Sequence, residues 1–346
     1  MRSSFDAAIE EIFERVPGYV DTAAVGLPTR AGAAALDRRH AEWREGRTQP
    51  VSFDPEVERS RQAYARIVGS ASAEVAIVSQ VSAVSGVVAA SLDEGAVVLA
   101  AEEDFTSVLF PFMARPDLEL RLVPLAGVLD EITPDVDLVA VSAVQSSSGI
   151  VTDLDRLSQA SQESGVRTYV DLTQGAGWID AGASRFDVTA CHGYKWLCSP
   201  RGAGFMTVNQ SGSEWVRPLT PGWYSGEKPW ESIYGPPLRL AADARRFDLS
   251  PAWFSYSAAA PTLEALADLG TGQIRERSLG LANAFRESVG ISASNSPIVS
   301  VSLPEGVDLA ARGVAASSRA GRARLSWYVY NTEDDVERAA EAVRGD

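Results

Sequence analysis

The sequence predicts an α/β protein: a mostly parallel sheet sandwiched by helices, followed by a small α+β C-terminal domain. Three observations predict it. From about residue 50, short β-branched apolar runs alternate with stretches of helical periodicity. The runs are almost continuously apolar, as strands covered on both faces are. Beyond residue 246 the alternation gives way to two helical patterns around two further strands. At 346 residues the chain exceeds one ordinary core, so about two domains are expected. The division expected is 1–20 as an N-terminal docking helix, 21–250 as the large domain and 251–346 as the small one.

The elements follow in chain order. Phe5, Ile9, Ile12, Phe13 and Val16 recur at helical spacing among Glu10, Glu11 and Glu14, an amphipathic pattern unlike a signal peptide. Strands are expected at 75–79, 96–101, 119–123, 137–144, 167–172, 186–191 and 203–208. A helix is expected over 153–164, with Gly165 as its C-cap. Residues 211–246 change texture. Pro218, Pro221, Gly222 and Pro229 alternate with Trp215, Trp223, Tyr224 and Trp230, the mark of a long structured connection lining a site or an interface. Helices over 257–269 and 333–344 then flank strands near 298–303 and 323–329.

Composition narrows the function. Hydrophobic content of 45% and charged content of 22% are those of a globular chain, and no apolar run approaches a membrane span. Two cysteines, Cys191 and Cys198, are too few for a disulfide framework and fit a reducing cytoplasm. Two histidines and no Cys/His cluster leave little to build a metal site from. A net charge of −15 makes nucleic acid or an anionic membrane a poor partner. A cytoplasmic enzyme acting on a small molecule is the expectation.

In such a fold a ligand sits beyond the carboxyl ends of the strands, often against the second domain. Gln80, Val81, Ser82 and Ala83 join a strand to a helix start, where backbone N–H groups meet an anion. Phe105 follows the next strand and offers a flat face. Gln145 and Ser146 open a polar loop. Asp171 and Gln174 follow a central strand, where a carboxylate is costly to bury without a cation. His192, Tyr194 and Lys195 come last, the lysine among apolar neighbours in "ACHGYKWLCSPRGAG". Singly, Asp171 reads as a turn cap, Lys195 as a snorkelling stem, and Phe105 and Tyr194 as core aromatics. Their joint occurrence at successive strand ends points to one site.

The pattern resembles the class V aminotransferase family of fold-type I pyridoxal-phosphate enzymes, which includes cysteine desulfurases and kynureninases. The resemblance runs from "YVDTAA" at Tyr19 to "RLS" at Arg324 and "YNTEDD" at Tyr330. It is most specific in "VDLTQGAGW" and "HGYKW…SPRGAG". It implies pyridoxal 5'-phosphate as cofactor, Lys195 as the Schiff-base and proton-shuttling lysine, and Asp171 as partner of the pyridine nitrogen. It implies Phe105 stacked on the ring, where desulfurases carry His and kynureninases Phe. Gln174 is expected near the ring oxygen or the lysine. Val81 and Ser82, with His192 and Tyr194, are expected at the phosphate, and Gln145 and Ser146 at the phenolic oxygen. Arg324 would clamp the substrate carboxylate, with Arg319 as a neighbouring alternative. Ala24, Trp223 and Tyr224 are expected to border the substrate, although the aromatics equally suit dimer packing. The resemblance further implies a homodimer with interfacial active sites. The stretch from 290 to 324 is short for the family, which implies a wider entrance or cover from a partner subunit.

The reaction is less legible. Persulfide chemistry needs a cysteine on a C-terminal loop, and none follows Cys198. Lys195 is then the main acid–base group, with Tyr224 as possible help. The expectation leans to a lyase such as one eliminating the C–S bond of a cysteine conjugate. Transamination, decarboxylation, epimerisation and kynureninase-like hydrolysis stay open, as does a cofactor-binding scaffold without turnover.

Overall fold

The computed structural model of the protein describes residues 4–345; residues 1–3 of the expected docking segment and residue 346 of the C-terminal one lie outside it. The helices are α1 (Ser4–Ile12), α2 (Arg30–Arg44), α3 (Asp54–Val68), α4 (Val81–Ser91), α5 (Thr106–Met113), α6 (Leu154–Ser164), α7 (Gln210–Trp215), α8 (Trp253–Leu269), α9 (Thr271–Ser288) and α10 (Glu333–Arg344). The strands are β1 (Val75–Val78), β2 (Val97–Ala101), β3 (Glu119–Val123), β4 (Leu138–Ser142), β5 (Arg167–Asp171), β6 (Val188–His192), β7 (Gly204–Val208), β8 (Ile298–Val301), β9 (Ser317–Arg319) and β10 (Arg322–Ser326). No helix among the described residues is long and apolar enough to cross a membrane.

Seven strands form one sheet in the order β1-β7-β6-β5-β4-β2-β3. Only β7 runs against its neighbours, pairing antiparallel with β1 and β6. The others run one way, so their carboxyl ends share one edge. Interior strands such as VVLAA and LVAVS are apolar throughout because both faces are covered. Val84, Val88, Val108 and Phe112 of α4 and α5 pack one face. Val57, Tyr64, Leu157 and Leu263 of α3, α6 and α8 pack the other. Strand β3 at the rim is half-exposed and carries Glu119 and Arg121.

The second sheet is a small antiparallel one, ordered β8-β10-β9. Its core joins Leu281 and Phe285 of α9 to Val299, Leu325, Trp327 and Val336, with Val20 from the N-terminal segment. Helix α8 packs on α2 and α3, and α9 supplies Leu281 and Phe285 to the smaller core. The N-terminal segment crosses between the two units. Ser326 N–H donates to the Val20 carbonyl at 2.7 Å, and Gly18 N–H donates to Asp335 at 2.8 Å.

Several elements were not legible. Helix α5 contains Pro111, which a periodicity reading takes as a break. The strand expected over 323–329 stops at Ser326, because Asn331 accepts the Tyr328 N–H at 2.9 Å and turns the chain. Trp327, Tyr328 and Tyr330 are buried in that turn. Their apolar character imitates a strand.

Candidate active site

The loops leaving the common edge of the sheet close around a cavity of about 140 Å³. After β1 come Gln80 and Val81 at the start of α4; after β2, Phe105; after β4, Ser146; after β5, Asp171 and Gln174. His192, Tyr194, Lys195 and Arg201, from β6 and the turn behind it, complete the wall.

Asp171 ends β5 in register with Ser142 and Ala190 on its two neighbours, so the sheet buries its side chain. Its Oδ1 accepts the Thr173 N–H at 2.8 Å, and no cation pairs with it among the described residues. Burial carries the carboxyl up to about 6 against the pull of Thr173. Lys195 is the complementary case. Burial lowers its amine to about 8, opposed by Asp171 and helped by Arg324 and Arg319. Its Nζ lies 5.6 Å from the ring centroids of both Phe105 and Tyr194, with no hydrogen bond among the described residues.

The backbone around that lysine is fixed from three sides. Gly26 N–H donates to the Tyr194 carbonyl at 2.9 Å, Cys198 N–H to the Lys195 carbonyl at 3.0 Å, and Ser199 N–H to Gly193 at 3.0 Å. Only glycine fits at 26, since a Cβ there would stand 2.0 Å from the Lys195 carbonyl oxygen. Trp196 is buried beside Trp178 and donates its indole N–H to Gln174 Oε1 at 2.8 Å. The apolar escort of Lys195 is therefore a core anchor that leaves the amine facing the cavity.

Gln174 spends its amide on structure, donating to the Ala23 carbonyl at 3.1 Å and to Ser146 Oγ at 3.0 Å. His192 accepts the Gly202 N–H on Nε2 at 3.2 Å, which leaves its proton on Nδ1. Burial, Arg201 and Lys195 push it down to about 4, so it is neutral at physiological pH. Its ring meets that of Tyr194 edge-on at 4.5 Å.

Other expected residues fall elsewhere. Gln145 is buried behind the wall, and Ser82 is half-buried one residue inside α4 while Gln80 and Val81 reach the cavity. Ala24 sits in a turn closed by its N–H on the Asp21 carbonyl at 2.9 Å. Arg324 is enclosed, donating to the Ser146 carbonyl at 2.7 Å with Asp21 3.8 Å away. Arg319 is exposed on β9 and donates to Ser318. Trp223 and Tyr224 are not brought to the cavity. Trp223 packs on Trp230 at 4.9 Å, and Tyr224 donates to Asp54 at 3.1 Å, because the 211–246 connection folds back on the start of α3.

Sequence reasoning passed over Arg201, whose guanidinium lies 4.8 Å from the Tyr194 ring centroid. A cation in the same turn as Lys195 was the available signal. It also passed over Asp104, buried and accepting N–H bonds from Phe105 at 2.7 Å and Ser142 at 2.8 Å, since Asp104 sits in the solvated-looking run Glu102-Glu103-Asp104. A third signal was unused: the chain has two lysines, Lys195 and Lys228, and Lys228 is an exposed partner of Glu231.

A buried carboxylate without a cation, an amine of lowered basicity, an aromatic face and a helix N-terminus fit the ring nitrogen, aldehyde, ring face and phosphate of pyridoxal phosphate. Comparison with known proteins agrees. The class-V aminotransferase family model matches residues 44–291, and the chain belongs to that family. It is a pyridoxal-phosphate-dependent enzyme with the fold-type I architecture. An uncharacterized aminotransferase, YcbU, of Bacillus subtilis (strain 168) is 29% identical over 231 residues, 63% of this chain and 61% of that protein's length. Isopenicillin N epimerase of Streptomyces clavuligerus is 27% identical over 338 residues, 82% of this chain and 83% of that protein. Among solved structures, the apo cysteine desulfurase from Thermococcus onnurineus NA1 superposes with a TM-score of 0.83 at 20% identity, covering 100% of this chain and 99% of that one.

Proposed function

We propose that this enzyme acts on the α-carbon of an amino acid held by its carboxylate at Arg324, and that its outcome is of the lyase type, eliminating a β-substituent such as the sulfur of a cysteine conjugate. The single observation that carries this reading is the state of Lys195, the one amine lining the cavity. Lys195 is a buried amine without a hydrogen-bond partner among the described residues, lowered to about 8, and the one histidine lining the cavity is neutral with its Nε2 engaged.

The bound cofactor supplies an electron sink for the pair left when a bond at Cα breaks. Asp171 keeps negative charge at the far end of the cavity, and Phe105 covers one face of it. Lys195 Nζ takes the Cα proton. The pair left behind forms the Cα–Cβ double bond as the Cβ–S bond breaks, and Lys195 returns its proton to the departing sulfur. Hydrolysis of the released enamine gives a 2-oxo acid and ammonia. One base on one side suits that sequence. Epimerisation, favoured by the breadth of similarity to isopenicillin N epimerase, asks for a donor on the opposite face of Cα as well. Both thiols are buried, and burial pushes Cys191 and Cys198 far up, which disfavours a persulfide route.

Dimerisation and a cytoplasmic place belong to the same proposal. Leu219, Trp230, Ile233, Tyr234 and Leu238 are exposed along one connection, which suits burial against a second copy. The deciding experiment incubates purified holoenzyme with amino acids and cysteine S-conjugates. Pyruvate with ammonia supports elimination; an inverted α-carbon, carbon dioxide, or cofactor accumulating in its amine form replaces it with the corresponding alternative. Borohydride reduction followed by peptide mapping should place the cofactor on Lys195 and leave Lys228 unmodified.

A further inference from the structure

The wall behind Ser146 holds a set of polar atoms whose hydrogen-bonding capacity is unused. Arg324 is 1% exposed. Its Nη1 donates to the carbonyl and the hydroxyl of Ser146 at 2.7 and 3.1 Å, while its Nε and Nη2 have no partner. Asp21 Oδ1 and Ser317 Oγ are likewise buried without a close hydrogen-bond partner among the described residues, although Ser317 and Arg324 both lie near enough to the Asp21 carboxyl to favour its charged form. The four atoms lie on three residues brought together by the small sheet. Ser317 is the register partner of Arg324, and Asp21 is bridged to Ser326, two residues along the same strand.

A buried polar atom left unmet is costly to the fold, so a cluster of them marks a place where something else binds. The one full charge facing the guanidinium from the N-terminal segment is Asp21, 3.8 Å from Nη2. That distance is too long for a hydrogen bond but short enough for strong attraction in a buried setting. Arg319 on β9 adds a second positive charge nearby. A carboxylate entering from the Ser146 side would meet two free donors of Arg324 and the negative charge of Asp21 together.

We infer that Asp21 is the resident counter-ion of Arg324, standing in for the substrate carboxylate and competing with it, so that it sets how tightly this site takes a carboxylate. The inference rests on the reading of Arg324 as the carboxylate clamp. Asp21 is a positioning and specificity-determining residue. It neutralises the buried guanidinium between turnovers through a 3.8 Å contact, loose enough to give way when a ligand carboxylate takes the donors.

The test uses holoenzyme and propionate, an unreactive carboxylate without an amine, followed by calorimetry and by the absorbance of the bound cofactor; propanamide is the neutral control. Asp21→Asn removes the competing charge and should tighten propionate at least fivefold. Asp21→Glu is one methylene longer, closes the 3.8 Å gap and should weaken propionate at least fivefold. With an amino-acid substrate the same variants should move KM in those opposite directions and leave kcat nearly constant, a split that a purely structural role would not give. If Asp21→Asn folds poorly by thermal melting, the Glu variant alone decides. Unchanged or weaker binding in Asp21→Asn, or unchanged binding in Asp21→Glu, overturns the inference. Arg324→Gln separates the two levels. Propionate binding equal to wild type there overturns the clamp reading itself, and no binding of propionate by any of these proteins counts against both.

Discussion

Asp171→Asn should stabilise the cofactor-free protein, and the gain should depend on pH. In the folded chain the Asp171 carboxylate is buried with only Thr173 to hydrogen-bond it and no paired cation among the described residues, and burial lifts it from 3.8 to about 6. The folded state therefore holds the proton more tightly than the unfolded one. Its contribution to stability is fully present below pH 3.8, declines as pH rises through about 6, and is constant above. At about 1.4 kcal/mol per pH unit, the ionised carboxylate costs the folded protein about 3 kcal/mol at pH 8. Asparagine keeps the carbonyl that accepts the Thr173 N–H and removes the charge, but leaves an amide NH₂ without an acceptor, at about 1 kcal/mol. The net expectation is a gain of about 2 kcal/mol at pH 8 that shrinks to nothing or reverses by pH 4. Urea denaturation of both apoproteins across that range measures it, and taking the difference removes other titrating groups such as Asp248, also raised to about 6. Saturating pyridoxal phosphate should reverse the order, since only the wild type can pair with a protonated ring nitrogen. An Asp171→Asn apoprotein less stable than wild type at pH 8, or a gap that ignores pH, would refute the reasoning.

Three further outcomes are expected. The rate at which the apoprotein captures pyridoxal phosphate should rise with pH through about 8 and then level, as the Lys195 amine loses its proton; stopped-flow absorbance reads this, and a flat profile from pH 6 to 10 would contradict the assignment. Gly26→Ala places a Cβ 2.0 Å from the Lys195 carbonyl oxygen, so the turn must shift at a cost of about 2 kcal/mol or more. Urea melts should show that loss, and dialysis should strip cofactor faster. Arg201→Gln removes a cation from the cavity wall while His192 stays neutral. It should weaken pyridoxal phosphate about tenfold and leave pyridoxal unchanged, as measured by fluorescence titration; equal loss for both ligands would place Arg201 away from the phosphate.

The large sheet was legible because its strands are short, apolar and bounded by polar turns, so periodicity and composition agreed over β1 to β7. The cavity was legible for a related reason. In a parallel sheet the carboxyl end of each strand is a fixed address: Asp171 is the last residue of β5, and Phe105 and Lys195 stand a few residues beyond β2 and β6. What escaped depends on distant pairing. Nothing local marks Asp104 as buried, because its burial follows from accepting the backbone of Ser142 on a neighbouring strand. Trp223 and Tyr224 carry the composition of a pocket lining, yet Asp54 draws Tyr224 and Trp230 towards α3. Arg324 was placed by its motif, but its enclosure by Asp21 needs the crossing of the N-terminal segment over β10, which no window of sequence displays.

The chain places its costly groups where a ligand would relieve them. Asp171, Lys195 and Arg324 are each buried and each shifted towards neutrality, at about 6, 8 and 10. By contrast, the buried pair Arg61 and Asp248 is bonded at 2.7 Å, and Asp248 also accepts the Ile77 N–H at 2.8 Å. That pair ties α3 to β1 and the chain before α8; burial lifts Asp248 to about 6 as well, but its oxygens find their partners within the protein. The difference separates structure from function better than burial alone does. A polar group that serves the fold finds its partner in the chain, whereas Asp171 and Lys195 are set at the ends of β5 and β6 with backbone contacts that fix position and leave charge unmet. Cofactor and substrate together carry the complementary set: a protonatable ring nitrogen, a carbonyl carbon and a carboxylate. Under the proposed function, the folding free energy withheld at these three positions would become binding free energy when those groups arrive.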